Sequence, residues 1–418
     1  MIRVKKLNNG VRLVLEQMDS VESVSAGIWV LAGSVNESDD ILGMSHLIEH
    51  MMFKGTEKRS ARQIAADADR IGAGINAFTG KEATCYYIRA LGSNLEPAVE
   101  ILTDLFCNSV FDQAELKKEK YVIYEEIKMI EDAPDDDAHD ILSELVFQGS
   151  PLESPIIGYR RTLEGISRDD MLNYMKREYS ADNIVVSLAG HFDEALALEL
   201  FEQALGGLTA TKTVTEWSAD GYRPRFRVKS RDTEQSHICL GRQGLNYEAD
   251  LYYALSLLNS IFGGSMSSRL FQNIREDKGL AYAVYSVAQS HMQNGIFSIY
   301  AGVAHDKVEE TVAAVAEELS RLEKDGVTAE ELQAAKEQIK SAYVFGRESV
   351  SSRMFSNGKN QLLLDRQRLP EEVLTNIDRV TLDDMQQAIQ LIASIDQYCG
   401  VLIGNRELDL AALIGAHK

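Results

Sequence analysis

Ile166-Ser167-Arg168-Asp169-Asp170-Met171 returns 214 residues later as Val380-Thr381-Leu382-Asp383-Asp384-Met385. Each copy reads as a helix start: a Ser or Thr N-cap with an acid three residues on, able to bond back to the cap's own amide. A strand-like run follows each copy at the same offset, IVVSLAG at 184–190 and CGVLIG at 399–404. Two matches at one offset point to a duplicated chain. The expected organisation is therefore two homologous domains, residues 1–207 and 226–418. Gly206-Gly207 and a polar linker over 208–225 join them.

Only the first half carries an obvious catalytic constellation, His46-Leu47-Ile48-Glu49-His50. Four residues advance ~400° around a helix, so His46 and His50 project from nearly the same side, and Glu49 lies within ~60° of His46. Two imidazoles and a carboxylate in so narrow an arc suit a zinc ion and a general base. The order H-x-x-E-H inverts the commoner H-E-x-x-H. Ser38-Asp39-Asp40 offers a cap for this helix, the recurrence of Ile41, Met44, Ile48 and Met51 gives it an apolar stripe, and Lys54-Gly55 offers a stop. A catalytic zinc wants a third protein ligand. The stretch QAELKKEKYVIYEEIKMIED at 113–132 reads as a helix, with Glu119 and Glu126 seven apart on one face and Glu125 as the neighbouring alternative.

These motifs resemble the inverted-zincin peptidases, the family of pitrilysin, insulin-degrading enzyme and the mitochondrial processing peptidase. The resemblance implies that His46, His50 and Glu126 hold one Zn2+ per chain. It makes Glu49 the base and Glu119 a carboxylate that supports the ligands without touching the metal. Gly72-Ala73-Gly74-Ile75-Asn76-Ala77-Phe78-Thr79, followed by Thr84-Cys85-Tyr86-Tyr87, looks like the family's substrate-binding edge strand and its hairpin partner. Gly74, Ile75, Asn76, Ala77 and Phe78 are the implied substrate contacts. In the second half, Gly263-Gly264-Ser265-Met266-Ser267-Ser268-Arg269-Leu270-Phe271 leads into Arg275-Glu276-Asp277-Lys278-Gly279-Leu280-Ala281-Tyr282, similar to the family's Arg/Tyr pair. Arg275 and Tyr282 would then bind substrate and stabilise an oxyanion; a core strand position alternating with Leu280 and Val284 is the other reading of Tyr282. The implied fold is α+β, each domain an antiparallel-rich sheet with helices packed on one face. The implied activity is zinc-dependent cleavage of a peptide or an unfolded protein segment, held extended inside a clamshell chamber formed by a homodimer.

At 418 residues and 45% hydrophobic content the chain can bury two cores. A net charge of −21 argues against nucleic acid and suits basic peptides. Four dispersed cysteines (Cys85, Cys107, Cys239, Cys399) form no C-x-x-C pair. MIRVKKLNNGVRLVLEQ reads as strand, turn at Asn8-Asn9-Gly10, and strand, with no signal-peptide core, and no apolar run reaches the ~18 residues a membrane span needs. A cytoplasmic location without membrane partners is the expectation. Two rival functions remain. One is a binding or assembly subunit that keeps the fold without turnover. The other is a non-peptidase zinc enzyme of the S-ribosylhomocysteine lyase type, with Cys85 or Cys107 as third ligand.

Overall fold

A computed structural model describes residues 2–211 and 221–417. Part of the 208–225 linker therefore lies outside the described residues. The chain divides into two compact units, each built on a twisted sheet. The first sheet contains β1 (Ile2–Lys6), β2 (Arg12–Gln17), β3 (Ser23–Val30), β4 (Gly74–Thr79), β5 (Thr84–Leu91) and β6 (Ile184–Gly190), in the order β1-β2-β6-β3-β5-β4. The second contains β7 (Phe226–Ser230), β8 (Ser236–Gln243), β9 (Ala281–Ser290), β10 (Gly295–Val303) and β11 (Cys399–Gly404), in the order β7-β11-β8-β10-β9. Apart from β1 the two orders are the same, and each sheet is antiparallel except at one pair, β2 with β6 and β7 with β11. The duplication read from the sequence is thus a duplicated topology. Both predicted capping boxes form, Ser167 with Asp170 and Thr381 with Asp384.

Most helices of the first unit pack on one face of its sheet. There Leu13, Leu15, Ala26, Ile28, Val186 and Leu188 join the first core. Yet β3 and β6 are buried along both faces. The second face is covered by the helix Val350–Leu364, which comes from the other half of the chain. Reciprocally, the helix Pro134–Val146 of the first half covers the second sheet over β8 and β11. The compact units are accordingly Met1–Ile127, Ser154–Glu216 and Val344–Arg368 in one, and Lys128–Glu153, Trp217–Tyr343 and Leu369–Lys418 in the other. A single cut after residue 207 crosses this exchange, because helical periodicity says that a stripe is apolar and not which sheet it meets. A fragment ending at 207 would leave one face of its own sheet bare.

The exchanged helices sit close to the sheets because glycine permits it. A Cβ on Gly27 would meet Met354 Sδ at 2.5 Å, and one on Gly241, 214 residues on, would meet Leu142 Cδ2 at 2.8 Å. Across the first interface Gly358 takes the ring of Trp29, whose Nε1 lies 2.2 Å from where a Cβ would stand. Replacing Gly358 by Ala is therefore expected to destabilise the protein by roughly 1–3 kcal/mol, the usual penalty for overpacking. Urea unfolding checks this, and an unchanged midpoint would contradict the packing described.

Candidate metal centre

The helix α1 (Met44–Met52) carries His46, Glu49 and His50, and buries Met44, Leu47, Ile48, Met51 and Met52 against the first core. It begins later than expected. Gly43, with φ +94°, is its N-cap, and Ser38-Asp39-Asp40 make an exposed bend before it. The Gln113–Asp132 helix spans the predicted stretch and buries Leu116, Glu119, Ile123 and Tyr124.

These two helices bring the motif residues together. His50 Nε2 lies 3.6 Å and His46 Nε2 3.9 Å from Glu126 Oε2. Among the described residues this is the only group of three or more His, Cys, Asp or Glu side chains with metal-ligand spacing, its ligand atoms all within 4.8 Å of one another. Cys85 and Cys107 do not belong to it, nor does Glu125. The donor set fits a cation on a further observation. His50 Nδ1 stands 3.1 Å from Glu119 Oε2. An ionised carboxylate only accepts, so Nδ1 carries the hydrogen and Nε2 turns its lone pair toward Glu126. Two acceptor atoms facing each other repel unless a positive ion lies between them. Zinc at ~2.0–2.1 Å from each ligand sets tetrahedral neighbours roughly 3.4 Å apart, close to the observed spacings. Glu119 thus supports His50 from behind, the arrangement that fixes tautomer and ring orientation.

Lys54, two residues past the end of α1, bonds the other oxygen of Glu119 at 2.6 Å. It compensates a carboxylate that is only 5% exposed. In the sequence Lys54 is legible only as a helix stop beside Gly55. Thr79, the last residue of β4, donates its hydroxyl to Glu49. The strand alternates, so Ile75, Ala77 and Thr79 share one face, and Ala77 and Ile75 join the core beside α1. That alternation is the signal that Thr79 faces the metal helix. Gly74, Asn76 and Phe78 project to the opposite face, where Phe78 meets Trp29 edge-on at 5.5 Å. β4 pairs only with β5, so its outer edge is unpaired within the sheet.

Burial, and to a smaller degree electrostatic repulsion with the neighbouring His50 imidazole, pushes the His46 imidazole down to about 4. Its lone pair is therefore free for a metal at neutral pH. Burial raises the Glu49 carboxyl above the ordinary range, opposed by the Thr79 hydroxyl and His50, while Glu126 adds to the rise. The shift of His46 has a stability consequence in metal-free protein. The unfolded chain takes up a proton below the ordinary pKa of ~6.5, which the folded site resists, so stability present above pH ~6.5 is lost as pH falls toward 4. Metal-free wild type is expected to lose up to about 3 kcal/mol more than His46→Gln between pH 7 and 4. Parallel pH curves for the two proteins would contradict this.

Arg275 and Tyr282 lie in the second unit. Arg275 occupies a π-helical turn, Phe271–Asp277, with its guanidinium 4.7 Å from the Phe271 ring centroid and 5.5 Å from that of Tyr282. Tyr282 is 79% exposed, against 4% for both Leu280 and Val284, so it is not a core residue. It is the second residue of β9, an edge strand of the second sheet. No described helix is long and apolar enough to cross a membrane.

A two-unit α+β fold with an inverted His-His-Glu cluster defines the class of inverted zincins. Residues 12–160 match the model of the insulinase family, peptidase family M16, and residues 165–339 match that of the M16 inactive domain. An uncharacterized zinc protease of Bacillus subtilis is 42% identical over 92% of this chain and 93% of its own. One from Rickettsia felis is 35% identical over 97% and 98%. The chain belongs to peptidase family M16. A Helicobacter pylori protease shares the fold with a TM-score of 0.89 at 20% identity, covering 97% of this chain and 99% of that one. A structure of Complex III2 from Candida albicans also contains the fold, with a TM-score of 0.86 at 18% identity over the full length of both chains.

Proposed function

We propose that the chain is a zinc-dependent endopeptidase acting on peptides or unfolded segments held extended. The observation that carries this is the His46–His50–Glu126 cluster with Glu49 beside it, in a chain whose relatives are named zinc proteases. A zinc ion held by those three residues would supply Lewis acidity and an attacking water of lowered pKa. Glu49 takes the proton from the attacking water and returns it to the leaving amine, a task helped by a carboxyl raised above its ordinary range. Thr79 fixes the rotamer of Glu49, and Lys54 and Glu119 fix His50. The substrate adds a strand to the free edge of β4 alongside Gly74, Ile75, Asn76, Ala77 and Phe78. Backbone bonding of this kind makes recognition largely independent of sequence. Arg275 helps bind the substrate, and Tyr282 donates to the developing oxyanion. Stacking on Phe271 and Tyr282 leaves the edge donors of Arg275 to meet a carbonyl or carboxylate. Two copies of the chain would close the chamber. A reducing cytoplasm suits four free cysteines, three of them buried.

The test is metal content and hydrolysis of a quenched peptide on one sample, with Tyr282→Phe in parallel. Wild type is expected to bind zinc and cleave. Tyr282→Phe is expected to keep its zinc, its melting temperature and its fold while losing ~10²–10³ in turnover, the typical worth of one oxyanion donor. Zinc without cleavage in wild type would favour the assembly-subunit alternative.

A further inference from the structure

The side chain that satisfies the start of α1 is Glu37, which precedes Ser38-Asp39-Asp40. Glu37 accepts from the backbone N–H of Gly43 through Oε2 at 2.6 Å and from that of Ser45 through Oε1 at 2.7 Å. Both amides belong to the first turn of α1, where helical N–H groups have no partner within the helix. His46 follows Ser45 directly. The carboxylate is 9% exposed and, among the described residues, pairs with no cation. Burial pushes the Glu37 carboxyl up to about 7, outweighing the backbone amides of the helix start and the Ser45 hydroxyl that favour its charge. A buried carboxylate with no cation partner is a costly way to cap a helix, since Ser, Thr or Asp at the N-cap itself does so at the surface. Here the N-cap position is closed to them. Gly43 has φ +94°, and a Cβ there would stand 2.6 Å from the carbonyl oxygen of Ile157.

The segment that delivers Glu37 is itself fixed to the substrate hairpin. Ser34 N donates to Gly80 O at 3.4 Å and Val35 N to Lys81 O at 2.9 Å, in the turn between β4 and β5. Gly33 lies against the same turn, with space for no Cβ: one would meet Gly80 O at 2.4 Å. The chain from Gly33 to Glu37 therefore joins the β4–β5 turn to the first turn of the metal helix. Thr79, next to Gly80, makes the second connection, to Glu49.

We propose that Glu37 is a positioning residue for the metal centre: it braces the first turn of α1, and His46 with it, against the hairpin that bears the substrate edge strand. It touches neither metal nor substrate. The brace sets the gap between His46 and the ligands His50 and Glu126. The inference rests on the zinc-peptidase reading, and its readout is metal affinity rather than turnover.

Glu37→Gln keeps the shape but turns an NH2 group toward an N–H donor. Zinc affinity is measured by competition with a chelator at pH 7.5, well below the melting temperature. Leu205→Ala, a core change in the same unit remote in sequence from α1, reports what destabilisation alone does to affinity. Glu37→Gln is expected to bind zinc roughly tenfold or more weakly, the lower range for losing a group that orients ligands. Leu205→Ala is expected to keep wild-type affinity. Glu37→Asp, one methylene shorter, is expected to fall between wild type and Glu37→Gln, and carries the test alone should Glu37→Gln not fold. Wild-type affinity in the Glu37 variants, or equal losses in Leu205→Ala, overturns the proposal while leaving the peptidase reading intact. A wild-type protein that binds no zinc overturns that reading, and this one with it.

Discussion

Glu49→Gln is expected to hold about one zinc per chain, to bind peptide, and to cleave at least ~100-fold more slowly than wild type, in line with the usual contribution of a general base. The substitution keeps the side chain's shape and its acceptor oxygen for the Thr79 hydroxyl, so α1 and β4 remain joined. What it removes is the ability to take a proton. Metal analysis and single-turnover hydrolysis on the same preparation separate the two effects. Turnover close to wild type would remove Glu49 from the mechanism. Loss of zinc together with turnover would make Glu49 a ligand, contrary to the cluster, which contains Glu126 instead.

The second large effect concerns Glu119, Glu125 and Glu126, three of the glutamates of the Gln113–Asp132 helix. Glu126→Gln is expected to lose most bound zinc, because it deletes one of three charged or imidazole ligands around a divalent ion. Glu119→Gln is expected to retain zinc with ~10–100-fold weaker affinity, the range seen when a ligand's supporting hydrogen bond is lost. It also leaves Lys54 facing His50 across a neutral amide. Glu125→Gln, outside the cluster, is expected to bind as wild type does. Equilibrium dialysis against zinc ranks the three. A Glu125→Gln protein without zinc beside a Glu126→Gln protein with it would reverse the ligand assignment.

The parts of this site that were legible in the sequence are those carried by local periodicity. His46, Glu49 and His50 share a face because of helical pitch, as do Glu119 and Glu126, and the Gln113–Asp132 helix spans its predicted stretch. The duplicated strands were legible from two matches at one offset, and the β4–β5 hairpin from its resemblance to the family's edge strand. What was hidden depends on chain reversal. Glu37 reaches α1 across a loop, Lys54 meets Glu119 from the turn after α1, and Thr79 meets Glu49 from a strand. No spacing rule links those pairs. The helix cap was misplaced because Ser38-Asp39-Asp40 has the right composition, while the backbone instead turns through Gly43 at positive φ. The exchange of the Val350–Leu364 and Pro134–Val146 helices was invisible because an apolar stripe carries no address. Gly27 and Gly241 were its one trace, a glycine at the same place in each repeat.

The central claim is that one metal ion, held by His46, His50 and Glu126, is the centre of a peptidase. It is tested most directly by returning zinc to chelator-stripped protein while following quenched-peptide hydrolysis. Turnover is expected to rise from near zero in proportion to bound zinc and to level off at one equivalent per chain, with no such rise in Glu126→Gln. Hydrolysis that survives stripping, or zinc that binds at one equivalent without restoring it, would contradict the account.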